Sequence, residues 1–274
     1  MLYLVGTPIG NIDDMSPRAC EVLRNADVIA CEDTRVTGIL LTQLGITGKR
    51  LIAYHEHNKA ASGNGIIDLL KQGLNVAQVS DAGMPAISDP GADLALLAAT
   101  TGIEVSVIPG PSAVTAALSI SGLDTRYFHF EGFLPSEGSK RRERLKELSY
   151  IGETIVLYEA PHRLKKLLDE LSENGFGANR ISLCRELTKR YEEVLRMTVD
   201  ESVEYYKSNE PRGEFCICLE PKEQKASAGA ELGDPTKLIT LLKDKGMSSK
   251  DISVVVSEFT GMNKKEAYKI ASEL

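Results

Sequence analysis

The sequence lacks long hydrophobic runs. No apolar stretch in its 274 residues approaches the roughly 18 residues that a membrane-spanning helix requires. The chain also starts without the basic segment of a secretory signal peptide, because residues 1–5 are apolar and Gly6 interrupts them early. We therefore expect a protein that is neither inserted into a membrane nor exported.

Cysteine is scarce, with five residues and no C-x-x-C pair. An odd number of cysteines does not fit a complete disulfide framework, and free thiols are typical of a reducing compartment. Cys216 and Cys218 alternate in an apolar run, so both should face one side of a strand as small apolar groups. These features predict a cytoplasmic protein.

Positive charge is in deficit, since the formal net charge is -7. This balance argues against non-specific nucleic-acid binding through total charge, although it leaves room for a local basic patch. One such run spans residues 140–146, with five basic residues and one acidic residue. It is either a solvated helix face or a surface that steers RNA, and the sequence leaves both interpretations open.

Several catalytic motifs are also missing. The turn at residues 6–10 matches neither G-x-x-x-x-G-K-[ST] nor G-x-G-x-x-G, which argues against a P-loop and weakens a dinucleotide-binding interpretation. There is no G-x-S-x-G elbow of a hydrolase. The run His55-Glu56-His57 has no visible third ligand, so we predict no metal site.

What the sequence does contain is regular alternation. Strand and helix patterns alternate five times over residues 1–122, which predicts an α/β domain with a mostly parallel sheet and helices on both faces. The pattern changes after Gly122, and residues 123–220 predict a second α/β domain with a mixed sheet. A polar linker is expected at 221–233. Residues 234–274 predict three short helices, forming either a helix-turn-helix-like module or a packing appendage.

The segment at residues 79–91 is the centre of the chain. It follows a strand pattern and contains two Gly, two Pro, two Asp and two Ser, so neither a strand nor a helix can continue through it. Open α/β sheets bind ligands at the carboxyl ends of their strands. We therefore expect Asp81 and Asp89 to supply acceptors and Gly83 to let a ligand approach the backbone.

Charged clusters follow three other predicted strands, at residues 32–35, 158–163 and 184–189. Each cluster alone is typical of a salt-bridged surface turn. Together they predict a polar cleft between the two α/β domains, because small-molecule sites favour domain junctions.

These segments, taken in order, carry a family resemblance. They are VGTPIGN at 5–11, CEDTR at 31–35, HEHN at 55–58, VSDAGMPAISDPG at 79–91, PGPSA at 109–113, EGFLP at 131–135, YEAPHR at 158–163, RELTK at 185–189 and GEF at 213–215. With them, residues 1–220 resemble the ribosomal small-subunit RNA (cytidine-2'-O)-methyltransferases of the tetrapyrrole methylase superfamily. The terminal helices resemble the helix-turn-helix appendage of that family. One departure is Met84, where the family usually has Thr.

The resemblance implies two α/β domains of the tetrapyrrole methylase type, with a cofactor cleft between them and a small helical C-terminal module. It also implies S-adenosylmethionine as the cofactor, small ribosomal subunit RNA as the partner, and a homodimer. The cofactor-binding residues carried over by position are Pro8, Asp81, Gly83, Ile87, Ser112, Ala113, Tyr158, Leu187, Gly213 and Glu214.

The implied reaction is attack of a cytidine ribose 2'-hydroxyl in small-subunit (16S) RNA on the sulfonium methyl group. It requires in-line positioning, and a general base would remove the hydroxyl proton. Glu32, Asp33 and Lys189 are the candidate catalytic residues, the lysine only if its pKa is strongly lowered. The substrate-binding candidates are Arg35, His55, Asn58, Glu159, Arg163, Arg185 and Glu186.

Other functions stay open at this point. A tetrapyrrole C-methyltransferase of the same superfamily would use the same cleft with a different acceptor. A non-catalytic RNA- or nucleotide-binding protein would bind RNA without transferring a methyl group. A nicotinamide dehydrogenase is more distant, because the dinucleotide glycines are absent.

Overall fold

The computed structural model describes residues 1–89, 91–222 and 235–274. Its internal contacts divide the chain into two units, Met1–Lys222 and Glu223–Leu274. The predicted linker at 221–233 therefore lies almost wholly outside the described residues, as does Pro90 of the central segment. In the described helices, none combines the length and the apolar character needed to cross a bilayer.

The first unit begins with a five-stranded parallel sheet in the order β3-β2-β4-β1-β5. Its strands are β1 (Leu2–Val5), β2 (Val28–Cys31), β3 (Arg50–Ala53), β4 (Val76–Val79) and β5 (Val105–Ile108). The central strands β2 and β4 are buried along their whole length. This burial explains their nearly continuous apolar sequences, because a parallel strand covered on both faces has no solvent side.

Five helices follow the strands of this sheet, and the first four of them cover it. They are α1 (Pro17–Asn25), α2 (Thr34–Gln43), α3 (Lys59–Lys71), α4 (Gly91–Thr100) and α5 (Ala113–Ser121). Leu23 of α1 and Leu41 of α2 pack in one core cluster, while Ile66 of α3 and Leu94 of α4 pack in another. Helices therefore lie on both faces of the sheet, as the alternation predicts.

The second sheet of this unit has the order β6-β7-β10-β8-β9. Its strands are β6 (Phe128–Phe133), β7 (Thr154–Glu159), β8 (Arg180–Arg185), β9 (Glu193–Thr198) and β10 (Phe215–Leu219). The pair β6–β7 is parallel and the other pairs are antiparallel, so the sheet is mixed. The helices between these strands are α6 (Gly138–Leu148), α7 (Pro161–Leu171) and α8 (Val199–Ser208). Helix α7 ends at Leu171, and a wider π turn with Gly175 at a φ of 81° follows it.

Helix α5 follows β5 of the first sheet and packs against the second sheet. Its residues Val114, Ala117 and Leu118 pack in one cluster with Cys184 of β8 and with Cys216 of β10. Cys218 belongs to the same cluster, so the cysteines of β10 face one side, as predicted. The predicted boundary after Gly122 stays a prediction, but the structure shows that side chains from both sides of it share a core.

Three further helices lie within residues 235–274, namely α9 (Pro235–Asp244), α10 (Ser249–Thr260) and α11 (Lys264–Glu273). Ser248 caps α10 by accepting the Asp251 N–H at 3.2 Å, and Asn263 caps α11. Ile239, Ile252 and Val256 are among the buried residues of their shared core. The three helices are present as predicted, whereas their role as a helix-turn-helix-like module stays a prediction.

The basic run at 140–146 is not a uniform solvated face, and that interpretation is wrong for two of its arginines. Arg141 is only 2% exposed and lies 2.6 Å from Glu170 and 3.9 Å from Glu159. Arg144 pairs with Glu131 at 2.5 Å and with Glu147. Glu131, Glu159 and Glu170 lie on elements outside the helix that carries the run, which explains why the run alone did not reveal these three partners.

We expect Arg141→Ala to destabilise the protein by about 3 to 5 kcal/mol, because it leaves buried carboxylates without their partner. The neighbouring Arg142 is exposed and has no ion pair within the described part of the chain. Arg142→Ala should change the free energy of unfolding by less than about 0.5 kcal/mol. Urea unfolding measures both, and equal effects would show that burial of Arg141 contributes nothing.

Candidate active site

Two loops at the carboxyl ends of β1 and β4 are tied together through their backbones. The Thr7 N–H donates to the Gly83 carbonyl at 2.9 Å, and the Gly83 N–H donates to the Thr7 carbonyl at 3.2 Å. The buried Thr7 hydroxyl also donates to the Ser80 carbonyl at 3.2 Å. These bonds hold the central segment against the first loop of the chain.

A third loop, after β5, packs on the first through two glycines. A Cβ added at Gly6 would lie 2.6 Å from the Gly110 Cα, so the two backbones touch and no side chain fits there. Met84 closes the same junction, because its Sδ accepts the Gly110 N–H at 3.2 Å. The residue that departs from the family pattern therefore has a structural partner in this chain.

These loops form one wall of a cavity with a volume of about 520 Å³. The other wall comes from the ends of β6, β7, β8 and β10. The two walls also touch directly, since a Cβ at Gly10 would lie 2.8 Å from the Thr188 Oγ1. The lining residues are Ile9, Glu32, Ser80, Asp81, Ala82, Gly83, Met84, Ile87, Ser88, Asp89, Ser112, Ala113, Phe133, Tyr158, Glu159, Ala160, Pro161, His162, Cys184, Glu186, Leu187, Lys189, Glu214, Phe215 and Cys216.

One end of the cavity is acidic. Partial desolvation, together with the charges of Asp81 and Asp89, raises the pKa of Glu32. Burial also raises the pKa of Asp89, whose Oδ1 accepts the Ala86 N–H at 2.8 Å. The Asp81 Oδ1 accepts the Asp33 N–H at 3.1 Å. Three carboxyl groups near one another favour a cationic ligand and make a proton acceptor available at this end.

The opposite part of the cavity is apolar. Ala113, Leu187 and Cys216 belong to the core cluster that joins α5 to the second sheet. Burial raises the pKa of Tyr158 to about 12, although a hydrogen bond from the Val114 backbone works against that rise. Tyr158 is therefore a neutral, anchored ring, and this wall suits a flat apolar group.

Lys189 lies between two carboxylates. Its Nζ is 3.0 Å from Glu186 and 2.9 Å from Glu214. Desolvation opposes the charge, but the hydrogen bonds to Glu214 and Glu186 outweigh it and raise the pKa of Lys189. The lysine is therefore held protonated, as an orienting cation.

Backbone strain is concentrated in the cavity loops. Among the described residues, the non-glycine positions with positive φ are Ala86 at 74°, Ser88 at 60°, Glu186 at 52° and Thr188 at 65°. A positive φ raises the conformational energy of a residue with a Cβ, and such strained positions cluster at functional sites. All of them lie in the central segment or in the loop after β8. Within the described ranges, no three His, Cys, Asp or Glu side chains form a group that would hold a metal ion.

Comparisons with known proteins point to one family. A sequence profile described as Tetrapyrrole (Corrin/Porphyrin) Methylases matches residues 1–202. The chain is 44% identical over 272 residues to the ribosomal RNA small subunit methyltransferase I of Halalkalibacterium halodurans, with 98% of this chain and 93% of the relative covered. It is 46% identical over 220 residues to the protein of the same name from Bacillus subtilis, with 80% and 75% covered. The chain belongs to the tetrapyrrole methylase family.

A solved structure agrees at the level of the fold. The methylase resembles the uroporphyrin-III C-methyltransferase of Thermus thermophilus complexed with S-adenyl homocysteine, with a TM-score of 0.57 and 18% sequence identity. The match covers 79% of this chain and 96% of that chain. The predicted α/β fold of the tetrapyrrole methylase type, with two sheets and C-terminal helices, is thereby confirmed.

The structure of the methylase brings many of the predicted site residues to the cavity. Those that line it are Glu32, Asp81, Gly83, Ile87, Ser112, Ala113, Tyr158, Glu159, Glu186, Leu187, Lys189 and Glu214. Those that do not line it are Pro8, Asp33, Arg35, His55, Asn58, Arg163, Arg185 and Gly213.

The residues outside the lining have identifiable contacts. Asp33 caps α2 and pairs with Arg35 at 2.6 Å, and hydrogen bonds from Arg35 lower the pKa of Asp33 to about 2. Asn58 accepts the His55 N–H at 2.8 Å and shapes the turn before α3. Pro8 directly follows the buried Thr7.

The remaining two arginines are held by acids. Arg163 lies 3.1 Å from Glu159 and also donates to the Leu134 carbonyl. Arg185 lies 3.0 Å from Glu193. Both arginines are substrate-binding candidates from the sequence, and the structure shows them already paired with carboxylates.

Most lining residues absent from the predicted set belong to segments that the sequence had singled out. Ser80, Ala82, Ser88 and Asp89 lie in the central segment, and Asp89 was already recognised there as an acceptor. Phe133 lies in the EGFLP segment. Cys184 and Cys216 had a weaker signal, because a small apolar residue in a strand does not by itself indicate a ligand.

Gly213 positions Glu186 rather than touching the cavity. Its φ is 79°, and an added Cβ would lie 2.5 Å from the Glu186 Cγ. The displaced side chain is the one that accepts the Glu214 N–H at 3.0 Å and pairs with Lys189. The loop after β8 and the start of β10 are thus coupled through this glycine.

We expect Gly213→Ala to cost clearly more stability than Gly102→Ala. Both glycines have positive φ, at 79° and 75°, but nothing lies within 4 Å of a Cβ at Gly102. The control should therefore lose only the backbone cost of about 1 to 2 kcal/mol. Urea unfolding compares the two variants, and equal losses would mean that Glu186 moves aside freely.

Proposed function

We propose that this methylase transfers a methyl group from S-adenosylmethionine to the 2'-hydroxyl of a cytidine ribose in small-subunit (16S) ribosomal RNA. The observation that carries the proposal is the cavity, which joins an acidic end to an apolar wall within a chain similar along almost its full length to proteins named ribosomal RNA small subunit methyltransferase I. The 2'-oxygen of a cytidine as acceptor rests on the resemblance of the sequence motifs.

The lining chemistry fits the cofactor. A volume of about 520 Å³ lies within the range of small-molecule sites, which is roughly 300 to 1,000 Å³. Ala113, Leu187 and Tyr158 offer an apolar wall for adenine, whereas Asp81 offers a carboxylate for ribose hydroxyls or for the ammonium group. The other proposed cofactor residues that line the cavity are Gly83, Ile87, Ser112 and Glu214, whereas Pro8 and Gly213, proposed from the resemblance, lie outside the lining. When bound, S-adenosylmethionine supplies an electrophilic methyl group.

Glu32 is the general base that we favour over Asp33 and Lys189. It lines the cavity, and its pKa is raised, so it binds a proton more readily than an ordinary glutamate. The carboxyl of Asp33 has a pKa of about 2 and is held by Arg35. Lys189 is held protonated and so has no free electron pair. Glu32 would take the hydroxyl proton, while Lys189, Glu186 and Glu214 keep the loop after β8 in place.

RNA contacts are proposed for the rim of the cavity. The Arg35 side chain is 87% exposed, so its guanidinium can reach a phosphate while it pairs with Asp33. Arg163 and Arg185 would have to share their carboxylate partners with a phosphate. His55, Asn58, Glu159 and Glu186 complete the proposed substrate-binding set.

The first test is direct. Labelled S-adenosylmethionine is mixed with the protein and with small ribosomal subunits that lack the modification, and the digested RNA is analysed by mass spectrometry. We expect 2'-O-methylated cytidine. Binding of the cofactor without RNA methylation would favour another acceptor, such as the tetrapyrrole of the structural relative, and loss of both would contradict the proposal.

We expect Glu32→Gln to lower the turnover number by roughly a hundredfold to ten-thousandfold, with little change in cofactor affinity. In the unaltered enzyme the rate should fall as the pH decreases through the raised pKa of Glu32, because only the deprotonated carboxyl accepts a proton. The variant should lose this pH dependence. Asp33→Asn is the control. If its turnover number falls more than that of Glu32→Gln, Asp33 rather than Glu32 is the general base.

We also propose that the protein is a cytoplasmic homodimer, as its resemblance to the family implies. Light scattering of the purified protein should give twice the chain mass of 29.8 kDa. A mass equal to one chain at micromolar concentration would contradict the dimer.

A further inference from the structure

Two large apolar side chains are exposed at the cavity. Phe133 is 55% exposed and Ile87 is 48% exposed, and both line the cavity, from opposite walls. Their exposure adds nothing to the stability of the fold, since an apolar group gains by leaving water. Exposed apolar groups beside a cleft are typical of a ligand-binding surface.

The direction of Phe133 depends on a bulge in β6. Phe130 pairs with Val156 and Phe133 pairs with Tyr158, with a register shift between Phe130 and Gly132. In a regular strand, residues three apart would face opposite sides of the sheet. The extra residue reverses this alternation, so Phe130 and Phe133 both contact the Tyr158 ring, with centroids 5.2 Å and 5.5 Å away. Bulges are known to re-aim side chains next to active sites.

The position of Ile87 depends on backbone strain. It lies between Ala86 and Ser88, which have φ angles of 74° and 60°. The strained loop also touches the bulge, because a Cβ added at Gly132 would lie 3.0 Å from the Ser88 Oγ. Two separate backbone irregularities thus bring Ile87 and Phe133 to the same part of the cavity.

The support behind Phe133 is rigid. The Tyr158 ring contacts both Phe130 and Phe133 and packs against the buried cluster that contains Val114. A ring held from behind and open in front is preorganised for stacking, because little side-chain entropy remains to be lost on binding.

We infer that Phe133 is the stacking platform for the nucleobase of the acceptor nucleotide, across the cavity from Ile87 on the cofactor side. This inference rests on the proposed function. A ribose hydroxyl can reach a methyl donor in the cavity only if its nucleotide leaves the RNA stack, and an extruded base is held by stacking on aromatic side chains. Phe133 is therefore a substrate-positioning residue, and the adenine of the cofactor is the competing source of a flat ring.

Tryptophan fluorescence can distinguish stacking of the RNA nucleobase on residue 133 from stacking of the cofactor's adenine. The chain contains no tryptophan, so Phe133→Trp creates a single reporter at the platform. Phe128→Trp is the control, because Phe128 lies at the start of the same strand, is 43% exposed and does not line the cavity. We expect a cytidine-containing single-stranded RNA to quench Phe133→Trp and not Phe128→Trp. Quenching of Phe133→Trp by S-adenosylmethionine alone, with no further change on adding RNA, would overturn the inference.

Kinetics test the same residue. Phe133→Ala should raise the KM for RNA or small subunits by roughly tenfold to a hundredfold, the usual loss for a stacked base, and leave the dissociation constant of S-adenosylmethionine unchanged. Phe133→Tyr should restore the low KM, whereas Phe133→Leu should not. Equal rescue by Leu would show that apolar contact suffices and would overturn stacking.

The outcomes are distinguishable from failure of the proposed function. If the unaltered enzyme does not methylate small-subunit RNA, the proposed function fails, whatever Phe133 does. If it methylates the RNA and Phe133→Ala has unchanged constants for both substrates, only the inference about Phe133 fails.

Discussion

Thr7 and Gly83 exchange two backbone hydrogen bonds, at 2.9 Å and 3.2 Å, and the rest of the site depends on this exchange. The partners are far apart in the chain, and each belongs to a loop that its own sequence leaves without regular structure. The contact between Gly6 and Gly110 adds the third loop, at a distance that no side chain would allow. Once these loops are joined, the carboxyl ends of three parallel strands form one rigid wall, and the strained positions of the central segment can persist.

Helix α5 connects these loops to the second sheet, because it begins after the third loop and packs on that sheet. It starts directly after the third loop, and its buried face packs against Cys184 and Cys216. Tyr158 of β7 packs against the same cluster, which contains Val114 near the helix start. The apolar wall of the cavity is therefore part of the core that α5 forms with the second sheet.

Charge is distributed along the cavity so that its two walls have different tasks. At one end, partial desolvation raises the pKa values of Glu32, Asp81 and Asp89. Neighbouring negative charges raise those of Glu32 and Asp81 further, because like charges disfavour ionisation. On the other wall, Lys189 is neutralised by Glu186 and Glu214 and fixes the loop after β8. The acidic end suits a sulfonium or ammonium group and can accept a proton. The ion pairs of Lys189 hold the loop after β8 in place and so define the shape of the opposite wall.

The sequence by itself determined the elements of the fold and the loops that make the site. Apolar periodicity, caps such as Ser16 and Ser248, and the Gly- and Pro-rich central segment are local signals, and local signals decide where helices and strands begin and end. The motifs likewise placed Asp81, Gly83 and Leu187 at a ligand site.

Only the tertiary structure decided which charged side chains are paired with a partner. The sequence leaves Arg141 in a run that could be a solvated face and names Arg163 and Lys189 as site candidates, and the structure pairs all three with carboxylates. The same holds for Phe133, because a bulge that reverses strand alternation is defined by pairing with β7, and no spacing within β6 reveals it.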